Sequence, residues 1–487
     1  MAELLSRGDR GRMLSDVEVD LDAEASRSAV IPLRFLGMGF LIAWLCSTHI
    51  ASVYCGDFGE LRRAMDAGMR VGDIATFIVL ACAARRIGPL GARTNVTVPL
   101  VVLTSLGTLA IGLWLSPCGF APFGMSCVGC VTAIGGAVLF CLWAEIYSQL
   151  GTRRIVVYGA GSCVVAFLAY VLVVSMKQQQ AIVLTSLFPL LSLACALTSF
   201  NLVPHERVHA RTSRYAVPWK IVAIMSIAGF ISGYAGAFLL TPEEQGAVHR
   251  IWGTGAAGVI ILALALWRSD RFDIRHIAAT SVPLGVVAFA LIPVSGSHVG
   301  LAISFLVKFA YVWFTLFALM LLANLAFRFD LPTLRMFAIA RACSEGAMFA
   351  GMTLRRFVQG QGLTQDMGVL LLCSLVGIVA IAVCVLLWKS EPAVNADWGT
   401  AGIELESGER VVSPRERLID RCEQLAEEYG LTAREAEVLA LLAQRKTRSE
   451  IEQELFLSQN TVKTHIRHVY AKLDVHSKED VYDLVGE

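Results

Sequence analysis

Charge is scarce in this chain of 487 residues: only 17% are Asp, Glu, Lys or Arg, while 56% are hydrophobic. With a mean hydropathy of +0.62, the composition excludes an ordinary soluble globular protein and indicates a membrane protein. The sequence shows no set of residues for hydrolysis, redox catalysis or group transfer, and no Gly-rich loop in the strand–turn–helix setting of phosphate sites. We therefore expect no enzyme, no cofactor and no metal site.

The 13 cysteines are an odd number, so they cannot all form disulfides within the chain. Cys127 and Cys130 form a C-x-x-C pattern inside an apolar run. A redox or metal site is one interpretation, but the apolar setting favours two small residues at a close helix contact. Cys55 and Cys118 fall at predicted external ends of spans, where an oxidising exterior would allow a disulfide; the sequence leaves their distance open.

Apolar runs long enough to cross a bilayer divide residues 33–389. We predict twelve spans, near 33–54, 67–84, 97–116, 123–147, 155–176, 181–200, 218–240, 247–267, 276–294, 298–327, 333–353 and 366–388. Residues 1–32 mix Arg with Asp and Glu and are predicted to be a disordered cytoplasmic tail. Residues 390–413 contain Gly, Pro392 and several acids without periodicity, which predicts a flexible linker.

Lys and Arg are unequally divided between the predicted loops. If both termini are cytoplasmic, the inside loops carry 14 of them, and seven fall in the outside breaks: Arg62, Arg63, Arg70, Lys177, Arg250, Arg355 and Arg356. Cytoplasmic loops of membrane proteins are enriched in Lys and Arg, so this orientation is favoured. It places the C-terminal segment in the cytoplasm.

Six spans, a basic loop at 201–220 and six further spans are weakly similar to the two halves of the major facilitator architecture. The loop signature of that family is G-x-x-x-D-R-x-G-R, of which this chain keeps only Arg86 and Gly88. The resemblance implies two six-helix halves that enclose a cavity near the middle of the membrane.

Ionisable residues at bilayer depth are costly and often functional. The candidates for ligand sensing are Glu145 in the fourth span, Lys308 in the tenth, Arg341 with Glu345 in the eleventh, and also Asp73 and His49. Arg341 and Glu345 are four residues apart and can neutralise each other on one helix face. Glu145 and Lys308 come from opposite halves, and we expect both to line the cavity. Helix packing alone is the alternative role.

The stretch 447–473 predicts two short helices joined by a tight turn. Thr447 with Glu450 forms a T-x-x-E capping box, and Ser458 is the N-cap candidate of the second helix. In that second helix the apolar residues recur at i, i+4, i+7 and i+11: Val462, Ile466, Val469 and Leu473. Its other faces carry only uncharged or cationic polar residues: Asn460, Lys463, Thr464, Arg467 and Lys472. A helix with one apolar face that packs on its domain and an opposite cationic face is suited to binding in the major groove of DNA.

Capping residues flank this stretch on both sides. Thr432 with Glu435 forms another T-x-x-E box, and Ser477 opens a last helix. The motifs L-T-x-R-E-x-E-V-L-x-L-L-A, L-x-L-S, T-V-K-x-H and K-L-x-V, between residues 430 and 485, resemble the LuxR/FixJ-type helix-turn-helix domain of bacterial transcription regulators. Two positions depart from the family pattern: Arg445 replaces a Gly and Glu452 replaces a small Ala.

The LuxR resemblance implies specific roles for residues of these helices. Lys463, Thr464 and Arg467 would read bases, and Asn460 shares their face. Phosphate contacts would come from a second group, which comprises Thr461, His465 and Arg448. The final helix would form the contact of a homodimer.

Together these patterns predict an all-α protein: a polytopic membrane bundle of about 12 helices in a 6+6 arrangement, followed at 414–487 by a cytoplasmic four-helix LuxR-type domain. We expect a one-component regulator of the bacterial inner membrane that senses a small molecule or membrane signal and binds promoter DNA, with RNA polymerase as a further partner. A secondary transporter with an appended regulatory domain is one alternative. A protein-binding C-terminal domain is the other, because residues 414–487 hold 11 Lys and Arg against 15 Asp and Glu.

Overall fold

The computed structural model describes residues 33–49, 59–87, 89–150, 152–200, 219–235, 249–267, 300–329, 332–361, 414–443, 448–455 and 459–486, with a few single positions between 287 and 382. Within these residues all regular structure is helical, in two groups that have separate hydrophobic cores. Several predicted features lie outside the described residues: the N-terminal tail, Cys55, the linker, Thr447, Ser458 and, apart from single positions, the ninth and twelfth spans.

Ten described helices form the first group, and each follows one of the other ten predicted spans. They are α1 (Met38–His49), α2 (Gly59–Ile87), α3 (Thr94–Ala110), α4 (Pro122–Tyr147), α5 (Thr152–Val174), α6 (Gln178–Phe200), α7 (Trp219–Ala235), α8 (His249–Trp267), α9 (Gly300–Phe329) and α10 (Thr333–Gly360). By length and composition, six segments of the described helices could cross a membrane: Gly59–Ala84, Thr94–Leu115, Pro122–Tyr147, Arg154–Val174, Gln178–Phe200 and Phe305–Ala323.

Two helices are longer than the apolar runs predicted them to be. α2 begins at Gly59 rather than near residue 67, and α10 continues to Gly360 rather than ending near residue 353. Five arginines that we assigned to outside breaks therefore lie within helices: Arg62, Arg63, Arg70, Arg355 and Arg356. That assignment was wrong because a charged residue ends an apolar run without ending the helix, provided that its side chain faces a polar space.

Close backbone contact between α2 and α4 depends on glycine. A Cβ atom added to Gly68 would lie 2.0 Å from the carbonyl oxygen of Ser126, and one added to Gly72 would lie 2.2 Å from that of Cys130. Small residues allow transmembrane helices to approach in this way, and van der Waals packing then stabilises the pair. Cys130 thus lies at a close helix contact, as its apolar setting predicted.

Four helix pairs join the first six helices to the later ones. The two most extensive are α2 with α10 and α5 with α8, and smaller contacts join α4 to α10 and α5 to α9. At the end of the bundle where α10 begins, Ser148 and Thr333 share a hydrogen bond of 3.2 Å between their hydroxyl oxygens.

The buried indoles within the first half also have partners: Trp44 Nε1 donates to Thr108 Oγ1 at 2.9 Å. Because these buried polar groups form hydrogen bonds, their burial costs little free energy, and the bonds favour this arrangement of the helices.

Five helices form the second group: α11 (Pro414–Glu428), α12 (Ala433–Ala443), α13 (Arg448–Leu455), α14 (Gln459–Leu473) and α15 (Lys478–Gly486). The capping box predicted at Thr432 is present, because its N–H donates to Glu435 Oε2 at 2.8 Å. Ser477 Oγ likewise accepts from the N–H of Asp480 at 3.1 Å and begins α15. Asp474, at φ +56°, ends α14 in the left-handed conformation common after helices.

Candidate functional site

The apolar stripe of α14 faces the core of the C-terminal group. Its four members are 0–4% exposed: Val462, Ile466, Val469 and Leu473. They pack with buried residues of α12 and α13, among them Val438 and Ile451. Burying a side chain of this size contributes about 1.5–3 kcal/mol. The stripe therefore sets the rotation of α14 about its own axis, and with it the set of side chains that faces outward.

The outward face of α14 is polar and cationic. Asn460, Lys463, Thr464 and Arg467 are all exposed. The Thr464 hydroxyl donates to the Asn460 carbonyl oxygen at 2.9 Å, so its methyl group and its acceptor lone pairs remain for an external contact. We call these four residues the recognition face. No carboxylate occurs in the sequence between Leu455 and Leu473, so the cations of this face keep their full charge for a partner.

Two cations of the domain serve its structure. Lys472 Nζ donates to Glu435 Oε2 at 2.7 Å and to the Gly430 carbonyl oxygen at 2.9 Å, which ties the end of α14 to α12. The hydrogen bond from Lys472, together with that from the Thr432 N–H, lowers the pKa of Glu435 to about 2. Arg434 donates to the Leu455 carbonyl oxygen at 2.7 Å and so holds the end of α13. These contacts fix α13 and α14 on α12.

The predicted phosphate-contacting residues differ in exposure. Arg448, at the start of α13, is exposed, whereas Thr461 and His465 are half-buried. The Nδ1 atom of His465 is buried and has no hydrogen-bond partner among the described residues. Glu452, the acid at a position where the family has Ala, is also half-buried. A phosphate contact of all three predicted residues stays a prediction.

A cavity of about 760 Å³ with both charged and apolar walls lies in the membrane bundle. Residues of α1, α2 and α4 line it from the first half, and residues of α9 and α10 line it from the second. Its apolar walls include Leu41, Phe77, Phe140 and Phe337. The cavity extends to Arg63, an exposed residue near the start of α2. This end of the bundle is opposite to the end that holds the contact between Ser148 and Thr333.

Ion pairs connect the two halves inside this cavity. Asp66 of α2 binds His49 Nδ1 at 2.5 Å, Arg70 Nε at 3.4 Å and Arg356 of α10 at 3.8 Å. Glu345 of α10 forms an ion pair with Arg341, as the four-residue spacing predicted, and lies 3.6 Å from Arg70. Each carboxylate therefore has cationic partners from both halves.

Cations outnumber carboxylates among the described residues that line the cavity. We call the seven cations the cavity cations; they are Arg62, Arg63, Arg70, Lys308, Arg341, Arg355 and Arg356. The carboxylates are Asp66, Asp73 and Glu345. The ammonium of Lys308 lies 5.6 Å from the ring centroid of Tyr311, a cation–π contact.

Five of the six candidate sensing residues line this cavity, namely His49, Asp73, Lys308, Arg341 and Glu345. The expectation that Glu145 lines it too is wrong, because this residue is not part of the wall. Its carboxylate is buried elsewhere and accepts the N–H of Leu90 at 2.9 Å. That hydrogen bond satisfies a backbone donor at the start of the short 3-10 helix Leu90–Ala92, which accounts for an acid at this depth.

Sequence reasoning did not identify several charged residues of the cavity. The lining residues of α10 are spaced as one helical face, at i, i+4, i+7, i+11 and i+15: Arg341, Glu345, Met348, Met352 and Arg356. Those of α2 also form one helical face, at i, i+4, i+8, i+11 and i+15: Arg62, Asp66, Arg70, Asp73 and Phe77. A search for helical periodicity of charge, rather than for apolar runs, would have found both faces.

The C-terminal residues 430–485 match the family of bacterial regulatory proteins known as the luxR family. The transcriptional regulatory protein LiaR of Bacillus subtilis (strain 168) is 54% identical over 46 residues, which are 9% of this chain and 22% of that protein. The spore germination protein GerE of the same organism is 53% identical over 45 residues, 9% of this chain and 61% of that protein. Residues 430–485 are therefore a LuxR-type helix-turn-helix domain, and this chain spans less than two thirds of either relative.

The membrane group has transporters as structural neighbours. The crystal structure of a bacterial homologue of the iron transporter ferroportin, outward-facing with soaked iron, covers 74% of this chain and 100% of that chain, at 13% identity and a TM-score of 0.53. FucP, a major facilitator superfamily transporter in the outward conformation, covers 73% of this chain and 99% of its own at 12% identity and a TM-score of 0.45. At such identities the likeness concerns the fold alone. The N-terminal part therefore shares the fold of the ferroportin homologue, and six of its described segments are long and apolar enough to cross a membrane.

Proposed function

We propose that this protein is a one-component transcription regulator of a bacterial cytoplasmic membrane. Its membrane domain, residues 33–389, senses a small molecule or a membrane state, and its C-terminal domain, residues 414–487, regulates transcription from promoter DNA. The observation that carries this proposal is that one chain joins a LuxR-type DNA-binding domain to a bundle with a cavity that has charged residues from both halves. No receiver domain or kinase module is visible in the sequence, so the signal passes within the chain.

The recognition face carries the proposed contact with DNA. Lys463 and Arg467 donate to the guanine acceptors O6 and N7 in the major groove, and Thr464 contacts a neighbouring base. Arg448, Thr461 and His465 contact phosphates and set the register of the domain. Because residues 414–487 hold 15 acids against 11 Lys and Arg, non-specific attraction to DNA is weak, and the local face decides affinity.

The coupling between the two domains follows from their connection. We propose cytoplasmic termini and a flexible linker at 390–413, which keeps the C-terminal domain near the membrane. If two membrane domains associate, this tether raises the effective concentration of two C-terminal domains, and α15 forms their dimer contact. A ligand that binds one arrangement of the two halves more tightly than the other shifts the population of dimers competent for DNA and RNA polymerase.

The direct test is promoter occupancy by the full-length protein in cells. Lys463→Ala and Arg467→Ala should each lower occupancy of the bound promoter fragments by roughly tenfold, since one good base contact contributes about 1–3 kcal/mol. Arg154→Ala is the matched control, because it removes an exposed positive charge from the membrane group rather than from α14. Equal occupancy for all three variants and the unchanged protein would refute the assignment of α14.

The likeness of the membrane domain to transporters favours a second candidate function. In this reading the protein moves a small molecule, and the C-terminal domain is an appended regulator. Uptake of a cavity ligand into proteoliposomes that Lys308→Ala abolishes would support transport. Ligand binding without uptake, together with ligand-dependent promoter occupancy, would support the sensor. Adding candidate nutrients one by one during the occupancy measurement distinguishes these outcomes.

A further inference from the structure

We propose that the membrane cavity binds a soluble organic anion and that Lys308 and Arg355 are its first cationic contacts. This inference rests on the proposed sensing role of the cavity, for which it names the class of ligand. The cavity volume of about 760 Å³ falls in the range typical of small-molecule sites.

The charge balance of the wall supports an anion. Among the described lining residues, seven cavity cations face three carboxylates. Cations in a space with low-dielectric walls produce a positive potential that attracts anions and repels cations. Even with all three carboxylates ionised, the described wall therefore remains positive.

The carboxylates of the wall do not neutralise all the cations. Asp66 is shared by His49, Arg70 and Arg356, and Glu345 is shared by Arg341 and Arg70. No ion pair with a carboxylate joins Lys308 or Arg355 among the described residues, although both line the cavity. These two side chains therefore carry charge that an incoming ligand can neutralise.

Unsatisfied donors give a second, independent reason. The Nε atom of Arg355 is buried and has no hydrogen-bond partner among the described residues. The Nε atom of Arg341 is in the same state, although its terminal nitrogen pairs with Glu345. Leaving a buried donor unpaired costs free energy, and the cost is greater when the group is charged. A ligand oxygen that accepts from either atom would recover this energy.

Apolar wall residues indicate that the anion is organic. Leu41, Phe77, Phe140, Leu319 and Phe337 line the same space as the cations. An inorganic anion would leave these surfaces without a partner, whereas a carboxylate on an apolar body would contact both kinds of wall. The combination defines a ligand with a charged end and a hydrocarbon or aromatic body.

The potential of the cavity can be measured without knowledge of the natural ligand. Thr315 lines the cavity, and Thr315→Cys introduces a thiol there. Full-length protein in phosphatidylcholine nanodiscs is treated with an anionic methanethiosulfonate, which carries sulfonatoethyl, and with a cationic one, which carries trimethylammonium-ethyl. Mass spectrometry follows labelling at residue 315. For each thiol, the rate of labelling by the anionic reagent is divided by the rate of labelling by the cationic reagent. This rate ratio should be about tenfold higher for the thiol at residue 315 than for free 2-mercaptoethanol.

Substitutions then test the named residues. Lys308→Gln and Arg355→Gln should each lower the rate ratio several-fold, whereas Arg154→Gln, which removes an exposed charge outside the cavity wall, should leave it unchanged. A ratio at or below that of the free thiol would overturn the proposal. So would a high ratio that neither variant lowers. Met352→Cys provides a second lining position, so that slow labelling at residue 315 does not leave the question open.

Ligand protection completes the test. Phenylacetate should slow labelling at residue 315 more than its uncharged analogue phenylacetamide does, and equal protection, including none, would count against an anion site. Protection that appears only in nanodiscs containing phosphatidylglycerol would assign the site to a lipid headgroup and overturn a soluble ligand. Promoter occupancy is measured separately, because failure of the anion site would leave DNA binding by the recognition face intact.

Discussion

Replacing Glu435 by Gln should destabilise the C-terminal domain and change the dependence of its stability on pH. The side chain is 6% exposed and accepts hydrogen bonds from Lys472 at 2.7 Å and from the Thr432 N–H at 2.8 Å. Gln can still accept from Thr432, so the cap at the start of α12 survives. The substitution removes mainly the attraction between the carboxylate and the Lys472 ammonium.

The magnitude follows from the pKa of Glu435, which is lowered from 4.5 to about 2. At about 1.36 kcal/mol per unit, a shift of this size corresponds to an upper bound of roughly 3 kcal/mol. The Lys472 side chain is 36% exposed, so solvent screens the pair, and we expect about 1.5 kcal/mol. Because the folded-state pKa is the lower one, this stability is present above about pH 4.5 and is lost as pH falls towards 2.

The assay is urea unfolding of a fragment of residues 414–487, which has its own hydrophobic core, followed by far-UV circular dichroism. The difference between Glu435→Gln and the unchanged fragment should shrink by about half between pH 5 and pH 3. Glu437→Gln is the matched control, since this residue of the same helix is 51% exposed and should cost under about 0.5 kcal/mol. Equal costs for the two variants, or a difference independent of pH, would refute the reasoning.

Three further outcomes are expected. Arg448→Ala should weaken binding to all promoter sequences alike and reduce the slope of log affinity against log salt by about one, measured by fluorescence anisotropy at several salt concentrations. Gly72→Ala should lower the melting temperature of the detergent-solubilised protein, because the new Cβ would lie 2.2 Å from a backbone oxygen. Gly346→Ala is the control and should leave the melting temperature unchanged, because nothing lies within 4 Å of its Cβ position. Equal melting temperatures for the two variants would contradict the close contact. Arg341→Gln should lower the stability of the detergent-solubilised protein by about 3–5 kcal/mol in denaturant unfolding, because it removes the partner of Glu345 on the same helix. Adding Glu345→Gln should restore much of that loss, and no recovery would mean that the two charges do not compensate each other.

The C-terminal domain was predictable in detail because its determinants are local. The spacing of Val462, Ile466 and Val469 determines which face of α14 is buried, and the T-x-x-E box at Thr432 determines where α12 begins. What the pattern could not show was the role of Lys472. In sequence it continues the cationic faces of α14, but the packing of α14 on α12 brings it to Glu435, 37 residues away.

The membrane cavity was predictable only in part. Lys308, Arg341 and Glu345 stood out because each interrupts an apolar run, and each does line the cavity. The same rule failed for Glu145, which lies near the end of its run and whose partner is a backbone N–H. It also assigned Arg70 and its neighbours to loops, since an apolar window cannot tell a helix with one polar face from the end of a helix.

By itself, the amino-acid sequence determined the helical class, the ten described helices of the membrane group, the C-terminal LuxR-type domain and the two faces of α14, because hydrophobic periodicity and capping depend on residues a few positions apart. Only the tertiary structure decided which ionisable groups share a space. Arg70 and Glu345 lie 3.6 Å apart although 275 positions separate them, and their meeting depends on the packing of α2 against α10. Charge that looks isolated along a chain acquires its partners from such packing.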